Sequence, residues 1–442
     1  MNYREAMEYI QSLGRFGMIP GLDAIRRLCG ELGSPEEELK FVHVAGTNGK
    51  GSVSAYIASV LKTAGYKVGR YISPTIFDYR ERIQVNDRMI TQSALCEGLG
   101  KIRSICDRMT GQGLPHPTAF EVETVLGFWY FREKKCDIVV LEAGMGGLMD
   151  STNVIKNTCV AVITSVSRDH MKFLGGTLAQ IAAQKAGIIK KGCLAVTASQ
   201  EPEVLEVISR EAARQNAELI IADMKKAGHV RYGIEKQSFD YDGGKDTPEL
   251  TMEIHLGGQY QIENALLALE ALKALGGRGF PVSAEKLREG LAKTSWPGRF
   301  TLIAKKPLFV VDGAHNEDAA RRLAQSIRFY FPGKRILYIM GVLRDKEYGR
   351  IIELTHELAD QIITVTPPDN ARALPGYELA KEVAKVHAAV TAADSLEEAA
   401  EMSRLLAGKE DVIVAFGSLS FLGRLINIVQ ASDKKAQRKS QK

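Results

Sequence analysis

The chain has 442 residues, 45% hydrophobic and 25% charged, a balance that excludes a disordered chain, a collagen and a small disulfide scaffold. Its +5 charge comes mostly from the last eleven residues, Ser432 to Lys442, with five Lys/Arg and one Asp; 53 basic and 52 acidic residues remain elsewhere. That near-neutral body predicts no nucleic-acid partner, and at roughly 150 residues per domain the length suits two or three domains.

The N-terminus is acidic and amphipathic, with Tyr3, Met7 and Ile10 against Glu5 and Glu8, unlike a signal peptide. No run approaches about 18 apolar residues, so no membrane partner is expected. The six cysteines, Cys29, Cys96, Cys106, Cys136, Cys159 and Cys193, form no CxxC or zinc knuckle. They read as free, mostly buried thiols of a cytoplasmic protein.

From residue 40, short apolar runs alternate with amphipathic segments. Phe41–Ala45, Asp137–Leu141, Cys159–Val166 and Leu194–Ala198 are nearly continuous in apolar residues, the pattern of buried parallel strands. Val53, Ile57, Val60, Leu61 and Ala64, closed by Gly65, read as a helix between the first two. Residues 228–258 alternate in polarity around Asp242-Gly243-Gly244 and predict an antiparallel hairpin or meander at the edge of this domain.

Thr294-Ser295-Trp296-Pro297-Gly298 breaks the rhythm, because Pro and Gly together disfavour helix and strand. The alternation resumes with Leu308–Val311, Ile336–Met340, Ile362–Val365, Ala388–Thr391 and Val412–Ala415. The expected fold class is α/β. Residues 1–296 form a P-loop ATPase-like, mostly parallel-sheet domain, and 297–430 a smaller Rossmann-like α/β domain. Residues 431–442 read as a disordered basic tail.

The sharpest chemical signal is Gly46-Thr47-Asn48-Gly49-Lys50-Gly51-Ser52, between a predicted strand and a predicted helix. Glycines there let backbone N–H groups converge on phosphate oxygens, and the helix N-terminus favours the anion. Lys50 would neutralise phosphates and Ser52 would offer a hydroxyl to Mg²⁺. The strict Walker pattern fails, since Val44 stands at the first glycine position and Gly51 separates Lys50 from Ser52.

Glu142 follows a strand, where a carboxylate suits either Mg²⁺ or a helix cap. Asp169-His170, Asp312-Gly313-Ala314-His315-Asn316 and Gly298-Arg299-Phe300 also follow strands or the junction. Arg299 could reach a phosphate across a cleft. Lys185, in Gln184-Lys185-Ala186-Gly187, has no role on composition alone.

The order of these motifs resembles the folylpolyglutamate synthase/dihydrofolate synthase family of the Mur-ligase superfamily. Carrying it are Gly46–Ser52, Ile72-Ser73-Pro74, Phe120–Thr124, Glu142–Gly147 with Asp150–Asn153, Asp169-His170, Lys185-Ala186-Gly187, Asn264-Ala265, Pro297-Gly298-Arg299, Asp312–Asn316 and Gly417-Ser418-Leu419. The resemblance runs from Tyr3 to about Leu425. It implies that ATP phosphorylates a folate or pteroate carboxylate and that the amine of L-glutamate attacks the acyl phosphate.

The same resemblance implies site roles. Thr47, Asn48, Gly49, Lys50, Gly51 and Ser52, with Asn264, Arg299, Asp312 and His315, would bind ATP. Ser52, Ser73, Glu142 and His170 would hold Mg²⁺, two ions in all. Lys185 would carry an N6-carboxyl group, and Lys50, His170 and Lys185 would be the catalytic set. Ser73, Pro74, Arg82, Phe120 and Asp150 would line the pterin side, and Ser418 the glutamate side. Three positions depart from the family: Gln184 for a Glu, Tyr260 for a His, and Thr75 for a His after Pro74.

A Mur-type peptidoglycan ligase is the rival enzyme, but only 45 residues precede Gly46, too few for a separate UDP-sugar domain. A non-catalytic nucleotide switch is the rival of another class, and ATP turnover dependent on both a carboxylate and an amine separates the two. A monomer is expected, closing Arg299 and Asp312 onto a nucleotide held by Lys50.

Overall fold

A computed structural model describes residues 1–17, 21–244 and 250–440, with side chains described to residue 434. Strands β1 (Phe41–Ala45), β2 (Val68–Tyr71), β3 (Ile83–Val85), β4 (Arg88–Met89), β5 (Ile138–Glu142), β6 (Thr158–Ile163), β7 (Leu194–Ala198) and β8 (Glu218–Ala222) form one sheet. Its order is β4-β3-β2-β5-β1-β6-β7-β8. From β2 to β8 every pairing is parallel. β3 and β4 add an antiparallel edge, too short to be seen as alternation in the sequence.

β1 and β5 are buried along their whole length, which is why they read as unbroken apolar runs. Helices Lys50–Thr63 and Tyr260–Gly276 cover one face through Tyr56, Ile57, Ile262 and Leu266. Helices Gln92–Gly111 and Ala119–Glu133 cover part of the other through Leu99, Ile102, Leu126 and Phe128.

β9 (Ala227–Arg231), β10 (Gln237–Tyr241) and β11 (Leu250–Ile254) form the expected antiparallel meander. It is a sheet of its own rather than an extension of the first one. The Asp242-Gly243-Gly244 turn leads into residues 245–249, which lie outside the described residues. Tyr241 Oη donates to the buried Glu270 carboxylate at 2.9 Å and ties the meander to helix Tyr260–Gly276.

A third sheet holds β12 (Thr301–Lys305), β13 (Leu308–Val311), β14 (Ile336–Met340), β15 (Gln361–Thr364), β16 (Val390–Ala392) and β17 (Val412–Phe416). Its order is β12-β13-β17-β14-β15-β16, parallel except for the β12–β13 pair. The large sheet followed by a smaller α/β layer is the expected class.

One expectation fails at the C-terminus. The last helix runs Leu419–Ser440 and takes in most of the stretch read as a disordered tail; Gln441 and Lys442 lie outside the described residues. After Gly423 no Gly or Pro interrupts a run rich in Ala, Gln, Lys and Arg, and Asp433 pairs with Arg404 at 2.5 Å. All six cysteines are free, three buried and three half-buried. Among the described residues no helix is long and apolar enough to cross a membrane.

Candidate active site

The carboxyl ends of β1, β5 and β6 open toward the carboxyl end of β13, and one cavity lies between them. β1 runs into Gly46–Gly49 and then helix Lys50–Thr63, so the loop amides sit at a helix N-terminus. Lys50 Nζ folds back onto the carbonyls of Gly46 at 3.1 Å and Thr47 at 3.2 Å. A Cβ on Gly46 would lie 1.7 Å from Thr164 Oγ1. A Cβ on Gly51 would lie 2.6 Å from the Trp296 ring, which accounts for a glycine between Lys50 and Ser52. Ser52 is buried, and its Oγ accepts from Gln261 Nε2 at 3.1 Å.

Glu142 ends β5 and is 4% exposed. Burial raises its carboxyl to about 7, with Lys50 and Arg299 pulling the other way. Among the described residues it forms no ion pair. Lys185, in the last turn of helix Leu178–Ala186, is 3% exposed and donates to the Gly46 carbonyl at 2.7 Å. Burial and then the charge of Lys50 lower it to about 7. Lys50 is lowered too, by burial, with Glu142 and Asp169 opposing.

Asp169 and His170 follow β6. The Asp169 carboxylate receives Lys346 Nζ at 2.9 Å and Asn316 Nδ2 at 2.9 Å. Burial would raise its pKa, but Lys346 and His170 outweigh burial and hold it below the usual range. Asp312 accepts from the backbone N–H of Phe300 and of Ala314, each at 2.8 Å, and from Tyr260 Oη at 2.9 Å. Burial raises Asp312 and lowers His315 to about 4, leaving a neutral imidazole at neutral pH.

Of the residues singled out in the sequence, Thr47 to Ser52, Ser73, Pro74, Glu142, His170, Lys185, Asn264, Arg299, Asp312 and His315 all line this cavity. Arg82, Phe120, Asp150 and Ser418 do not. Arg82 pairs with Glu123 at 3.3 Å. Phe120 lies against Gly144, where a Cβ would meet its ring at 2.5 Å. Asp150 accepts from Met145 N–H at 2.8 Å and from Thr152 Oγ1 at 2.5 Å, bracing the loop after β5. Ser418 Oγ meets Ser420 Oγ at 2.9 Å.

Sequence reasoning gave no role to Lys346, nor any to Asn316 or Asp318. Lys346 lies in a charged run, Arg344-Asp345-Lys346-Glu347, that reads as a solvated loop. Tyr260 was visible only as a departure from a family pattern.

No three His, Cys, Asp or Glu side chains among the described residues gather as a metal-holding group. The donor set is nevertheless that of a hard divalent cation which keeps water and phosphate oxygens as ligands: one buried carboxylate without a cationic partner, Glu142, beside the hydroxyls of Ser52 and Ser73. The residues present fit Mg²⁺.

Two family models match the chain: the Mur ligase middle domain over residues 44–272 and the Mur ligase, glutamate ligase domain over residues 298–419. The chain is similar to the folylpolyglutamate synthase of Lacticaseibacillus casei, 36% identical over 390 residues, covering 86% of this chain and 90% of that one. It is also similar to the dihydrofolate synthase/folylpolyglutamate synthase of Bacillus subtilis, 36% identical over 370 residues, covering 81% and 84%. Among solved structures, folylpolyglutamate synthase of Mycobacterium tuberculosis complexed with ADP and AMPPCP superposes with a TM-score of 0.88 at 28% identity, covering 97% of this chain and 99% of that one.

Proposed function

The chain belongs to the folylpolyglutamate synthase/dihydrofolate synthase family of Mur ligases, and from that premise we propose how its cavity carries out the family's reaction. It is an ATP-dependent ligase that adds L-glutamate to folates. The carrying observation is that Lys50 at the phosphate loop, the buried Glu142, and Arg299 and Asp312 beside the third sheet all border one cavity.

A carboxylate is a poor electrophile, so it is first activated. The γ-phosphoryl group of ATP passes to a substrate carboxylate oxygen and ADP leaves. The glutamate amine then attacks the acyl carbon, an amide forms, and inorganic phosphate departs with the carboxylate oxygen. Three anionic groups crowd together in this sequence, and fixed cations oppose their repulsion.

The amides of Thr47 to Ser52 and the ammonium of Lys50 hold the phosphates. Asn264, Arg299, Asp312 and His315 hold the rest of the nucleotide. Ser52, Ser73, Glu142 and His170 would hold Mg²⁺, which would supply positive charge against the repulsion of the anionic groups. Lys185 as N6-carboxylysine turns a cation into an anion suited to that ion. Lys50, His170 and Lys185 form the catalytic set.

Ser73, Pro74, Arg82, Phe120 and Asp150 shape the pterin side, and Ser418 the glutamate side. The chain works as a monomer divided near Trp296-Pro297, with the parts on either side closing to exclude water from the acyl phosphate. Dihydropteroate is the second substrate to test beside the reduced folates.

The test is ADP release with Mg²⁺ and L-glutamate, comparing dihydropteroate, tetrahydrofolate and no pteridine. Release with dihydropteroate establishes dihydrofolate synthase activity, and release with tetrahydrofolate establishes polyglutamylation. Release with neither, from protein that binds ATP, sinks the folate assignment.

A further inference from the structure

β1 is an apolar strand with one polar side chain, His43, and that side chain is fully buried. Strand alternation puts it on the same face as Phe41 and Ala45. Its Nε2 lies 2.9 Å from Thr152 Oγ1, and Thr152 Oγ1 lies 2.5 Å from Asp150 Oδ1. Asp150 is buried and accepts further from the Thr152 N–H at 3.0 Å and from the Met145 N–H at 2.8 Å. His43 and Thr152 are 109 residues apart, yet with Asp150 they connect the middle of β1 to the loop after β5.

Counting donors fixes the direction of this relay. The Asp150 carboxylate takes two backbone N–H groups, the pattern of an ionised acceptor, so the single hydroxyl proton of Thr152 goes to it. Thr152 Oγ1 then accepts from His43, whose proton sits on Nε2. Nδ1 is left as a buried acceptor with no partner among the described residues. Burial, then the charge of Lys190, lower His43 to about 3, so the ring is neutral and carries that one proton. The turn Ser151–Val154 is fastened from another side as well: Asn153 Nδ2 donates to the carbonyls of Leu148 at 3.0 Å and Gly187 at 3.1 Å.

We propose that His43 is a positioning residue for the pterin side: through Thr152 it orients the Asp150 carboxylate, which holds the Met145 N–H and with it the Gly144 backbone behind the Phe120 ring. The inference rests on the reading of Phe120 as a pterin contact. Little slack exists there. A Cβ on Gly144 would stand 2.5 Å from Phe120 Cζ, and the Phe120 ring has Tyr71 beside it with centroids 6.1 Å apart. Gly144 and Met145 line the cavity whereas His43 and Thr152 do not, so the contribution of His43 arrives through the loop. Without the Nε2–H donor the Thr152 hydroxyl is free to turn, and the carboxylate loses a donor of fixed direction. His43 also stands three residues before Gly46, so separate effects on the two substrates distinguish this role from one at the phosphate loop.

The experiment compares wild type, His43→Gln, Thr152→Val, Thr152→Ser and Phe120→Leu. Ring nitrogen-15 NMR of histidine-labelled protein reads the tautomer, and initial rates of ADP release give separate KM values for tetrahydrofolate and for ATP. The His43 signals, assigned by their loss in His43→Gln, are expected to place the proton on Nε2. Thr152→Val removes the hydroxyl at nearly constant shape and is expected to raise the KM for tetrahydrofolate about tenfold, with the KM for ATP within about twofold. Thr152→Ser restores the hydroxyl and is expected to recover most of that loss. A proton on Nδ1 in wild type overturns the proposal. So does a tetrahydrofolate KM that stays unchanged in Thr152→Val while Phe120→Leu raises it, and so do KM values for both substrates that rise together. If Phe120→Leu also leaves the tetrahydrofolate KM unchanged, the pterin-side reading fails and takes the proposal with it. If wild type shows no folate-dependent ADP release, the ligase reading itself fails, and the proposal falls whichever nitrogen holds the proton.

Discussion

Lys50 and Lys185 donate to one and the same acceptor, the Gly46 carbonyl, at 3.1 and 2.7 Å. One comes from the first turn of a helix and the other from the last turn of another, so two ammonium groups converge in a buried place. Burial and the neighbouring charge bring Lys185 down to about 7. A lysine lowered in this way is partly neutral near neutral pH, and the neutral amine is the form that attacks carbon dioxide. We expect Lys185→Ala to lower kcat by about 10–100-fold, the usual scale for a group that supports a metal site, with partial recovery in acetate. Carbon-13 NMR after incubation with labelled bicarbonate is expected to show one protein-bound carbamate in wild type and none in the variant. A wild-type spectrum without that signal would remove the carboxylysine.

Glu142 gives a pH prediction of definite sign. Its ordinary value is 4.5, and burial raises it to about 7 in the folded chain despite Lys50 and Arg299. Between those values the folded chain holds a proton that the unfolded chain has released. The ligand-free protein therefore loses stability from Glu142 as pH rises through this window, and the penalty is complete above pH 7. At about 1.4 kcal/mol per pKa unit, up to about 3 kcal/mol is involved. Glu142→Gln is expected to melt higher than wild type above pH 7, to converge with it below pH 4.5, and to be inactive. Parallel melting curves across the window would show that Glu142 carries no such penalty.

The strands of both large sheets were legible because burial on both faces leaves an unbroken apolar run, as in Phe41–Ala45 and Val412–Phe416. The phosphate loop was legible because strand, glycines, Lys50 and helix are contiguous. The ion pair of Asp169 with Lys346 was not. The two are 177 residues apart, and nothing local in Arg344-Asp345-Lys346-Glu347 says that only the lysine turns inward. The same holds for Tyr260 and Asp312, whose hydrogen bond exists only once the two sheets face each other. The basic C-terminus misled because charge was read as solvation, whereas Ala, Lys, Arg and Gln also favour continuing the helix from Leu419.

Gly46 tests how tightly the loop is built. A methyl group there would stand 1.7 Å from Thr164 Oγ1 and 2.9 Å from Thr164 Cβ, a side chain held in the core. Relief requires moving either Thr164 or the carbonyl that receives both lysines. Gly46→Ala is expected to cost about 1–3 kcal/mol in chemical denaturation. Gly46→Ala with Thr164→Ala should recover part of that, since the clashing hydroxyl is gone. An unchanged midpoint in the single variant would mean that the loop yields freely at this point.

The hydrogen bond between Tyr260 and Asp312 offers a test that separates nucleotide binding from turnover. The Asp312 carboxylate keeps two backbone donors, Phe300 N–H and Ala314 N–H, whatever stands at position 260. Tyr260→Phe therefore leaves the carboxylate satisfied and the ring packed, and removes one donor that crosses from helix Tyr260–Gly276 to the end of β13. A hydrogen bond to a charged group is worth about 1.5–3 kcal/mol; this one lies within the protein, so it reaches the nucleotide only by fixing the Asp312 carboxylate. A less firmly held carboxylate is expected to raise the KM for ATP while kcat at saturating ATP stays within about twofold. Initial rates across an ATP series measure both parameters. A fall in kcat with KM unchanged would move Tyr260 from holding the nucleotide to the chemical step itself.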